Sequence, residues 1–261
     1  MKPVTELTKD DIKDLKVVCF DVDGVTVKKG TDIKEVKEPD TTTLTVTTSN
    51  LSDEILQKII NLKKYYTVAI SSGRSSMYLT KIYYDILWDN AALISENGIF
   101  TLIDGKLIQQ ETFTEETLDT MRNIVVDLKK LEGKHKDFRA FEPKQFLITL
   151  HAWGEIQEVH EIVKKHDPEG KFYCWWNGEA FDIAPRHLNK GTGLQKLADY
   201  LKIDISQTMA IGNGPNDKDM LDAAGIGVTT EPNVVESDFS TTGDQHLGGA
   251  ESIDKLLELS R

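Results

Sequence analysis

The stretch that decides the fold lies near the N-terminus and reads Val17-Val18-Cys19-Phe20-Asp21-Val22-Asp23-Gly24-Val25-Thr26. Four apolar residues lead directly into two carboxylates, and a glycine follows them. Such an apolar run is typical of a buried parallel strand that is covered on both faces of its sheet. In open α/β sheets, ligands bind at the carboxyl ends of the strands. Two acids at that edge are costly to bury unless a cation or a reaction uses them, and the alternative is a pair of solvated loop acids.

The composition of the whole chain excludes several classes of protein. The 261 residues are 39% hydrophobic and 28% charged, which suits one large domain or a domain that carries a smaller one. The net charge of −12 disfavours a nucleic-acid partner, because phosphate backbones attract clustered Lys and Arg. Two cysteines predict neither a disulfide framework nor a zinc site. Without an apolar leader or a long apolar run, we expect a cytoplasmic protein that does not associate with membranes.

Strands and helices alternate in the first and last parts of the sequence. Short apolar runs at 67–70, 91–94 and 208–211 predict further buried strands, and segments of helical periodicity separate them. This alternation predicts an α/β fold with a doubly wound, Rossmann-like parallel sheet. Within residues 24–50, a charged Lys28-Lys29-Gly30 turn is followed by a threonine-rich run at 41–48, and we predict a β-hairpin flap here.

The rhythm changes near residue 112. A helix over 115–131 is followed by two strands, a second helix and two more strands, and the order αββαββ predicts an antiparallel sheet with helices on one face. We therefore predict a core made of residues 1–111 and 186–261, with an inserted α+β cap domain at 112–185.

Polar residues follow four of the predicted core elements, and they are Asp21 and Asp23, Ser72 and Gly73, Lys190, and Asn213 and Asp217. Because parallel strands present their carboxyl ends at one edge, we expect these loops to meet there. Each residue also has a structural alternative. Ser72 could be a helix cap, with Ser71 as its rival; Lys190 could be a solvated helix lysine; and Asn213 and Asp217 could be turn formers.

This ordered set resembles the four signatures of the haloacid dehalogenase superfamily. The resemblance implies that Asp21 is a nucleophile, that Asp23 is a general acid and base, and that an aspartyl-phosphate forms. It further implies a Mg²⁺ ion, whose ligands come from Asp21, the Asp23 carbonyl, Asn213 and Asp217. Ser72, Gly73 and Lys190 then bind the phosphate. The family usually has Gly-Asp where this chain has Gly212-Asn213, which puts in doubt whether Asn213 or Asp217 is the direct ligand.

The inserted segment resembles the type-two cap of Cof-like sugar phosphatases and trehalose-phosphate phosphatases. Glu142 and Lys144, which we expect on one face of one strand, and the nearby His151 resemble the cap pattern of the latter group. Asn97, in the run Glu96-Asn97-Gly98, resembles a Cof-like loop. The resemblance implies that Glu142, Lys144 and Asn97 bind substrate. The alternative for the cap residues is a solvated strand edge.

We therefore expect a Mg²⁺-dependent phosphatase for a phosphate monoester of a sugar or a similar small metabolite. A phosphohexomutase that resembles phosphomannomutase would use the same aspartates but return the phosphoryl group to its substrate. A non-catalytic protein that binds sugar phosphates is the third reading.

Overall fold

The computed structural model describes residues 1–242 and 248–261. Its strands are β1 (Lys2–Pro3), β2 (Val17–Phe20), β3 (Thr31–Lys37), β4 (Thr42–Thr48), β5 (Thr67–Ser71), β6 (Ala91–Ser95), β7 (Phe100–Ile103), β8 (Lys106–Gln109), β9 (Phe138–Glu142), β10 (Ile148–Ala152), β11 (Phe172–Trp176), β12 (Ala180–Pro185), β13 (Thr208–Gly212), β14 (Ile226–Thr229) and β15 (Phe239–Ser240). Its α-helices are α1 (Asp53–Leu62), α2 (Ser76–Tyr83), α3 (Glu115–Leu128), α4 (Gln157–His166), α5 (Lys190–Leu201), α6 (Lys218–Ala223) and α7 (Gly248–Leu259).

The chain divides into two compact units. The first contains Met1–Lys29, Ser49–Gln110 and Leu188–Arg261, and the second contains Gly30–Thr48 and Glu111–His187. In the part of the chain that the structure describes, no helix is both long enough and apolar enough to cross a membrane.

The first unit is built on one nine-stranded sheet with the order β1-β15-β14-β13-β2-β5-β6-β7-β8. Its strands pair in parallel as far as β6, and β7 and β8 extend it as an antiparallel hairpin. Strand β2 lies between β13 and β5, and all four of its residues are buried. The four-residue apolar run therefore forms the centre of the sheet, as its composition predicts.

Alternate side chains of β2 enter two different apolar cores. Val18 and Phe20 pack in a cluster with residues of α1, α2 and α7. Val17 and Cys19 pack in a second cluster with residues of α5 and α6. Helices thus cover both faces of the parallel sheet, and the predicted doubly wound α/β fold is confirmed.

The second unit contains the predicted αββαββ segment, in the order α3-β9-β10-α4-β11-β12. Its four strands form an antiparallel sheet with the order β11-β12-β10-β9. Ile148, Leu150 and Ala152 of β10 share one apolar core with Ile124 of α3 and Val159 of α4. Their intervening neighbours Thr149 and His151 therefore point to the opposite face.

The hairpin predicted within residues 24–50 exists as β3 and β4, which pair antiparallel from Thr31–Thr48 to Lys37–Thr42. The sequence-based domain boundaries placed it with residues 1–111, whereas the structure places it in the second unit. The reason is a set of polar contacts from β3 to that unit. Asp32 and Lys37 form ion pairs with Arg139 and Glu132, respectively.

Candidate active site

The candidate site lies at the carboxyl edge of the large sheet. Phe20, the last residue of β2, pairs with Ile70 on one side and with Ile211 on the other. The Asp21 N–H donates to the Ile211 carbonyl at 2.9 Å, so the pairing ends at this aspartate. The segments that follow β2, β5 and β13 therefore leave the sheet side by side, which brings the predicted loops together.

The loop after β2 is a tight turn around one carbonyl. Val22 O accepts hydrogen bonds from the N–H groups of residues 25–27, at 3.0–3.2 Å. Gly24 has a φ of +82°, and a Cβ there would lie 2.4 Å from the side-chain nitrogen of Asn213. Glycine is needed at this position because the turn is left-handed and the 213 side chain approaches closely.

Lys190 joins two of the predicted aspartates. It is the first residue of α5, whose N-cap Asn189 accepts a hydrogen bond from the Thr192 N–H at 2.9 Å. The Lys190 Nζ lies 2.5 Å from Asp21 Oδ1 and 2.5 Å from Asp217 Oδ1. All three side chains are buried, so the reading of Lys190 as a solvated helix lysine does not fit this structure.

Burial and charge shift the pKa values within this cluster. Burial, followed by the neighbouring Asp217 charge, raises the pKa of Asp21 to about 7, although Lys190 acts in the opposite direction. For Lys190, burial lowers the pKa, but the two carboxylates outweigh burial and raise it above its usual range. Lys190 therefore stays an ammonium ion between the two carboxylates.

Asp217 organises the loop after β13. Its Oδ2 accepts the N–H groups of Asn213 and Gly214, each at 2.9 Å, and its Oδ1 accepts Lys190. Both carboxylate oxygens therefore have protein partners. The Asn213 side chain instead reaches the Asp23 carbonyl, with its Nδ2 at 2.8 Å.

Ser72 lies at the start of the loop after β5. Its Oγ accepts the Arg74 N–H at 3.3 Å, and its backbone carbonyl accepts the Asn97 N–H at 3.0 Å. Asn97 is buried in a left-handed conformation with a φ of +54°. The structure therefore places the backbone of Asn97 in hydrogen-bond contact with the backbone of Ser72. The rival Ser71 is the last residue of β5, and its buried Oγ has no hydrogen-bond partner among the described residues.

Sequence reasoning missed Arg74. Its guanidinium donates from Nε to Asp23 Oδ2 at 2.8 Å and from a terminal nitrogen to Asp23 Oδ1 at 2.7 Å. The guanidinium carbon also lies 4.1 Å from the centre of the Tyr78 ring. The sequence did contain a signal for Arg74. This arginine directly follows Ser72-Gly73, in a loop predicted to lie at the same edge of the sheet as Asp21 and Asp23, which need a nearby positive charge.

The residues of this site suit a hard divalent cation such as Mg²⁺, but a backbone carbonyl and an amide would have to act as ligands beside a carboxylate. Among residues 1–242 and 248–261, no group of three His, Cys, Asp or Glu side chains has an arrangement that could hold a metal ion. The matching ligands are the Asp21 carboxylate, the Asp23 carbonyl and the side-chain amide oxygen of Asn213, whose amide nitrogen contacts that carbonyl. Magnesium takes oxygen ligands of these kinds and keeps several waters. Asp217 fits a supporting role better, because both of its oxygens are engaged.

The second unit has its own buried polar cluster. Lys144 Nζ donates to Thr149 Oγ1 at 2.6 Å and lies 3.4 Å from Glu142 Oε2 and 3.7 Å from Asp182 Oδ1. His151 Nε2 lies 3.0 Å from Glu142 Oε2. All five side chains are at least mostly buried, so a solvated strand edge is not what the structure shows.

One geometric expectation about this cluster was wrong. Glu142 and Lys144 were expected two apart on one strand, but β9 ends at Glu142 and Lys144 lies in the connection to β10. Pro143 stands between them and supplies no N–H to continue the ladder. The two side chains nevertheless meet, because the connection folds Lys144 back over Thr149.

Comparison with known proteins agrees with this architecture. The family described as haloacid dehalogenase-like hydrolase matches residues 127–231. The phosphoglycolate phosphatase of Methanopyrus kandleri is 27% identical over 203 residues, which cover 75% of this chain and 84% of the relative. YkrA of Bacillus subtilis is 25% identical over 276 aligned positions, covering 93% of this chain and 98% of the relative.

A solved structure shows the same fold. The C-terminal domain of Candida albicans trehalose-6-phosphate phosphatase superposes with a TM-score of 0.69 at 15% identity, covering 100% of this chain and 98% of that one. The family match and these relatives show the similarity to haloacid dehalogenase-like hydrolases that the sequence predicts. The predicted resemblance is thereby confirmed.

Proposed function

We propose that this chain is a Mg²⁺-dependent phosphatase that hydrolyses phosphate monoesters of small metabolites through an aspartyl-phosphate. The observation that carries the proposal is the Lys190 ammonium held 2.5 Å from both Asp21 and Asp217, at the edge where Asp23 and Ser72 also lie. A phosphoryl group is an anion that a carboxylate repels, so attack by Asp21 needs neighbouring positive charge. The similarity to the Methanopyrus phosphoglycolate phosphatase supports the same class of reaction.

The reaction divides into two steps with opposite roles for Asp23. In the first, a carboxylate oxygen of Asp21 bonds to phosphorus as the bond between phosphorus and the ester oxygen breaks, and protonated Asp23 gives its proton to the leaving oxygen. In the second, Asp23 takes a proton from water, whose oxygen bonds to phosphorus as the bond to Asp21 breaks. Inorganic phosphate leaves, and Asp21 and protonated Asp23 are regenerated.

Three residues are proposed to hold the phosphate during these steps. Lys190 supplies a fixed charge, the Ser72 hydroxyl supplies a donor, and the Gly73 N–H supplies another. A Mg²⁺ ion at this site would supply positive charge that offsets the repulsion between the phosphate and the Asp21 carboxylate. Asp21, the Asp23 carbonyl and Asn213 would hold that ion, with Asp217 supporting Asn213 and Lys190.

A sugar phosphate remains our proposed substrate. A carboxylate and an ammonium ion close together, such as Glu142 and Lys144, suit a leaving group with neighbouring hydroxyls. This chain shares its fold with a trehalose-6-phosphate phosphatase, which is consistent with a sugar phosphate as the class of substrate. The shared fold alone does not assign trehalose 6-phosphate to this chain. Asn97 stays a predicted substrate contact. A cytoplasmic location and the absence of nucleic-acid and membrane partners also stay predictions.

The test is release of inorganic phosphate from a panel of monoesters with and without Mg²⁺. The panel contains phosphoglycolate, trehalose 6-phosphate, glucose 6-phosphate and 4-nitrophenyl phosphate. Asp21→Asn should abolish turnover with the fold intact, because an amide cannot attack phosphorus. Asp23→Asn should lower turnover by roughly 10²–10⁴-fold. Asp219→Asn, an exposed acid on α6, is the matched control and should keep the full rate.

Four outcomes separate the alternatives. Full activity in Asp21→Asn overturns the mechanism, and full activity in excess chelator overturns the metal assignment. A product that keeps its phosphate, together with a requirement for a bisphosphate activator, identifies the phosphohexomutase. Binding of monoesters without any turnover identifies the non-catalytic reading.

A further inference from the structure

We propose that Arg74 is a positioning residue that orients the Asp23 carboxyl group for proton transfer to the leaving oxygen. The inference depends on the proposed function, because the proton transfer belongs to that reaction. Asp23 donates its proton as the ester bond breaks and later takes one from water, as described above. Arg74 takes no part in either bond change and acts through Asp23.

The contact between the two side chains is bidentate. Nε and a terminal nitrogen of Arg74 each donate to a different oxygen of Asp23, at 2.8 and 2.7 Å. A planar guanidinium that grips both oxygens fixes the plane of the carboxyl group as well as its position. When Asp23 carries its proton, one oxygen bears that proton and the other keeps an Arg74 hydrogen bond.

Arg74 is itself held in place. Its side chain is 10% exposed, and its guanidinium lies over the Tyr78 ring of α2 at 4.1 Å. Its backbone N–H donates to Ser72 Oγ at 3.3 Å, and its carbonyl accepts the Glu96 N–H at 3.0 Å. The arginine therefore extends from the rigid loop that carries the proposed phosphate ligand Ser72.

The acid that Arg74 grips needs such support. The Asp23 side chain is 31% exposed, in contrast to the buried Asp21 side chain at 8%. Its carbonyl is fixed by Asn213 at 2.8 Å, but this contact leaves the side-chain torsions of Asp23 free to rotate. A carboxyl group with access to solvent samples several rotamers unless a partner selects one. Arg74 supplies that selection.

A positioning role has a kinetic signature. An alkoxide leaving group needs a proton as it departs, whereas nitrophenolate leaves without one. Loss of Arg74 should therefore lower kcat/KM, which reports the steps up to departure of the leaving group, strongly for alkyl phosphates and little for 4-nitrophenyl phosphate. The later hydrolysis of the aspartyl-phosphate is common to both substrates and does not enter kcat/KM. A residue that binds the phosphate, or that only stabilises the loop, would affect both substrates alike.

The experiment compares Arg74→Met and Arg74→Lys with wild type on 4-nitrophenyl phosphate and on the alkyl phosphate of the panel that wild type hydrolyses fastest. We expect Arg74→Met to lower kcat/KM for the alkyl phosphate by about 10- to 100-fold and for the aryl phosphate by less than about threefold. Arg74→Lys should fall between, because an ammonium ion keeps the charge but cannot grip both oxygens. Arg122→Met, an exposed arginine of α3, should change neither rate.

A double-mutant cycle completes the test. In the Asp23→Asn background, Arg74→Met should cost nothing further on the alkyl phosphate, because the group it positions is gone. Equal losses on both substrates or full additivity with Asp23→Asn would each overturn the positioning role while leaving the proposed function standing. Absence of phosphate release by wild type would overturn the proposed function and this inference with it.

Discussion

Each unit of this protein contains a buried lysine that lies next to two acids, and these two lysines are bound differently. Lys190 in the first unit makes two ion pairs of 2.5 Å, to Asp21 and Asp217. Lys144 in the second unit has its short contact, 2.6 Å, with the neutral Thr149 hydroxyl, and its carboxylate neighbours lie at 3.4 Å or more. Lys190 is therefore fixed by two short ion pairs. Lys144 is held by a hydrogen bond to a neutral hydroxyl, and its ion pairs are longer.

The different contacts of the two lysines suit two tasks in the proposed function, which are neutralising the phosphate charge and recognising the hydroxyls of the substrate. A group that neutralises phosphate must stay charged and fixed, and two touching carboxylates ensure both for Lys190. A group that recognises hydroxyls must exchange its protein contacts for those of a ligand, and a long ion pair and a hydroxyl are easier to exchange than two short ion pairs. The predictions below test this distinction.

The largest expected effect follows from removing each lysine in turn. Lys190→Met leaves two buried carboxylates without their counter-ion, which should lower the free energy of unfolding by about 3–5 kcal/mol. Lys144→Met should lower it by about 1–3 kcal/mol, because the Thr149 hydroxyl keeps an acceptor in Asp182. Urea unfolding monitored by circular dichroism measures both values. Equal losses would show that the two clusters are equivalent and would remove the distinction.

The sequence predicted the first cluster well because its parts are local. Asp21 follows an apolar strand, Lys190 begins a helix after Asn189, and Asp217 ends a glycine-rich loop, so each position was fixed by a short motif. The convergence then followed from one rule, that parallel strands end at one edge of a sheet.

The remaining features depend on contacts between distant segments. The pairing of Arg74 with Asp23 needs the exit angles of two loops, which composition does not reveal. Membership of β3–β4 in the second unit rests on ion pairs such as Asp32–Arg139, between residues over a hundred positions apart. The prediction that Glu142 and Lys144 share a strand was wrong because Pro143 lies between them. The sequence contained the signal for this, since proline has no N–H to donate to strand pairing.

The second prediction concerns recognition by the second unit. Glu142→Ala or Lys144→Ala should lower kcat/KM for the best sugar phosphate by roughly tenfold to a hundredfold, since a lost contact leaves a buried partner unpaired at about 1–3 kcal/mol. Turnover of 4-nitrophenyl phosphate, which offers no hydroxyls, should change little. Lys129→Ala, an exposed lysine after α3, is the control. Equal losses on both substrates would assign the pair a structural role, and no loss on either would remove them from substrate recognition.

The third prediction concerns the metal ligands around the first cluster. Asn213→Asp replaces an amide donor 2.8 Å from the Asp23 carbonyl with a carboxylate, so two oxygens face each other until a cation lies between them. We expect Mg²⁺ to bind about tenfold more tightly, because affinity rises with the charge of the ligands. The rise in melting temperature on adding Mg²⁺ should be larger than in wild type, and calorimetric titration gives the affinity. An unchanged affinity would exclude position 213 from the metal site.

The smallest expected effect concerns a carboxylate, Asp127, whose charge is paired with residues of α4. Asp127 on α3 accepts hydrogen bonds from Lys130 at 2.5 Å, Lys165 at 2.7 Å and His166 at 2.8 Å, and these contacts hold its pKa below the usual range. Because the pKa is lower in the folded than in the unfolded protein, Asp127 stabilises the fold above about pH 4, and this contribution disappears as the pH falls below that value. Asp127→Asn should therefore lower the melting temperature at pH 6 but change it little at the acid end of the range. Asp119→Asn, at an exposed position of α3, is the control and should lower the melting temperature at pH 6 by less. Since α4 supplies Lys165 and His166, the effect reports how firmly charge alone ties α3 to α4. A deficit that stays constant at every pH would show that the amide disturbs packing and that the charge of Asp127 contributes nothing.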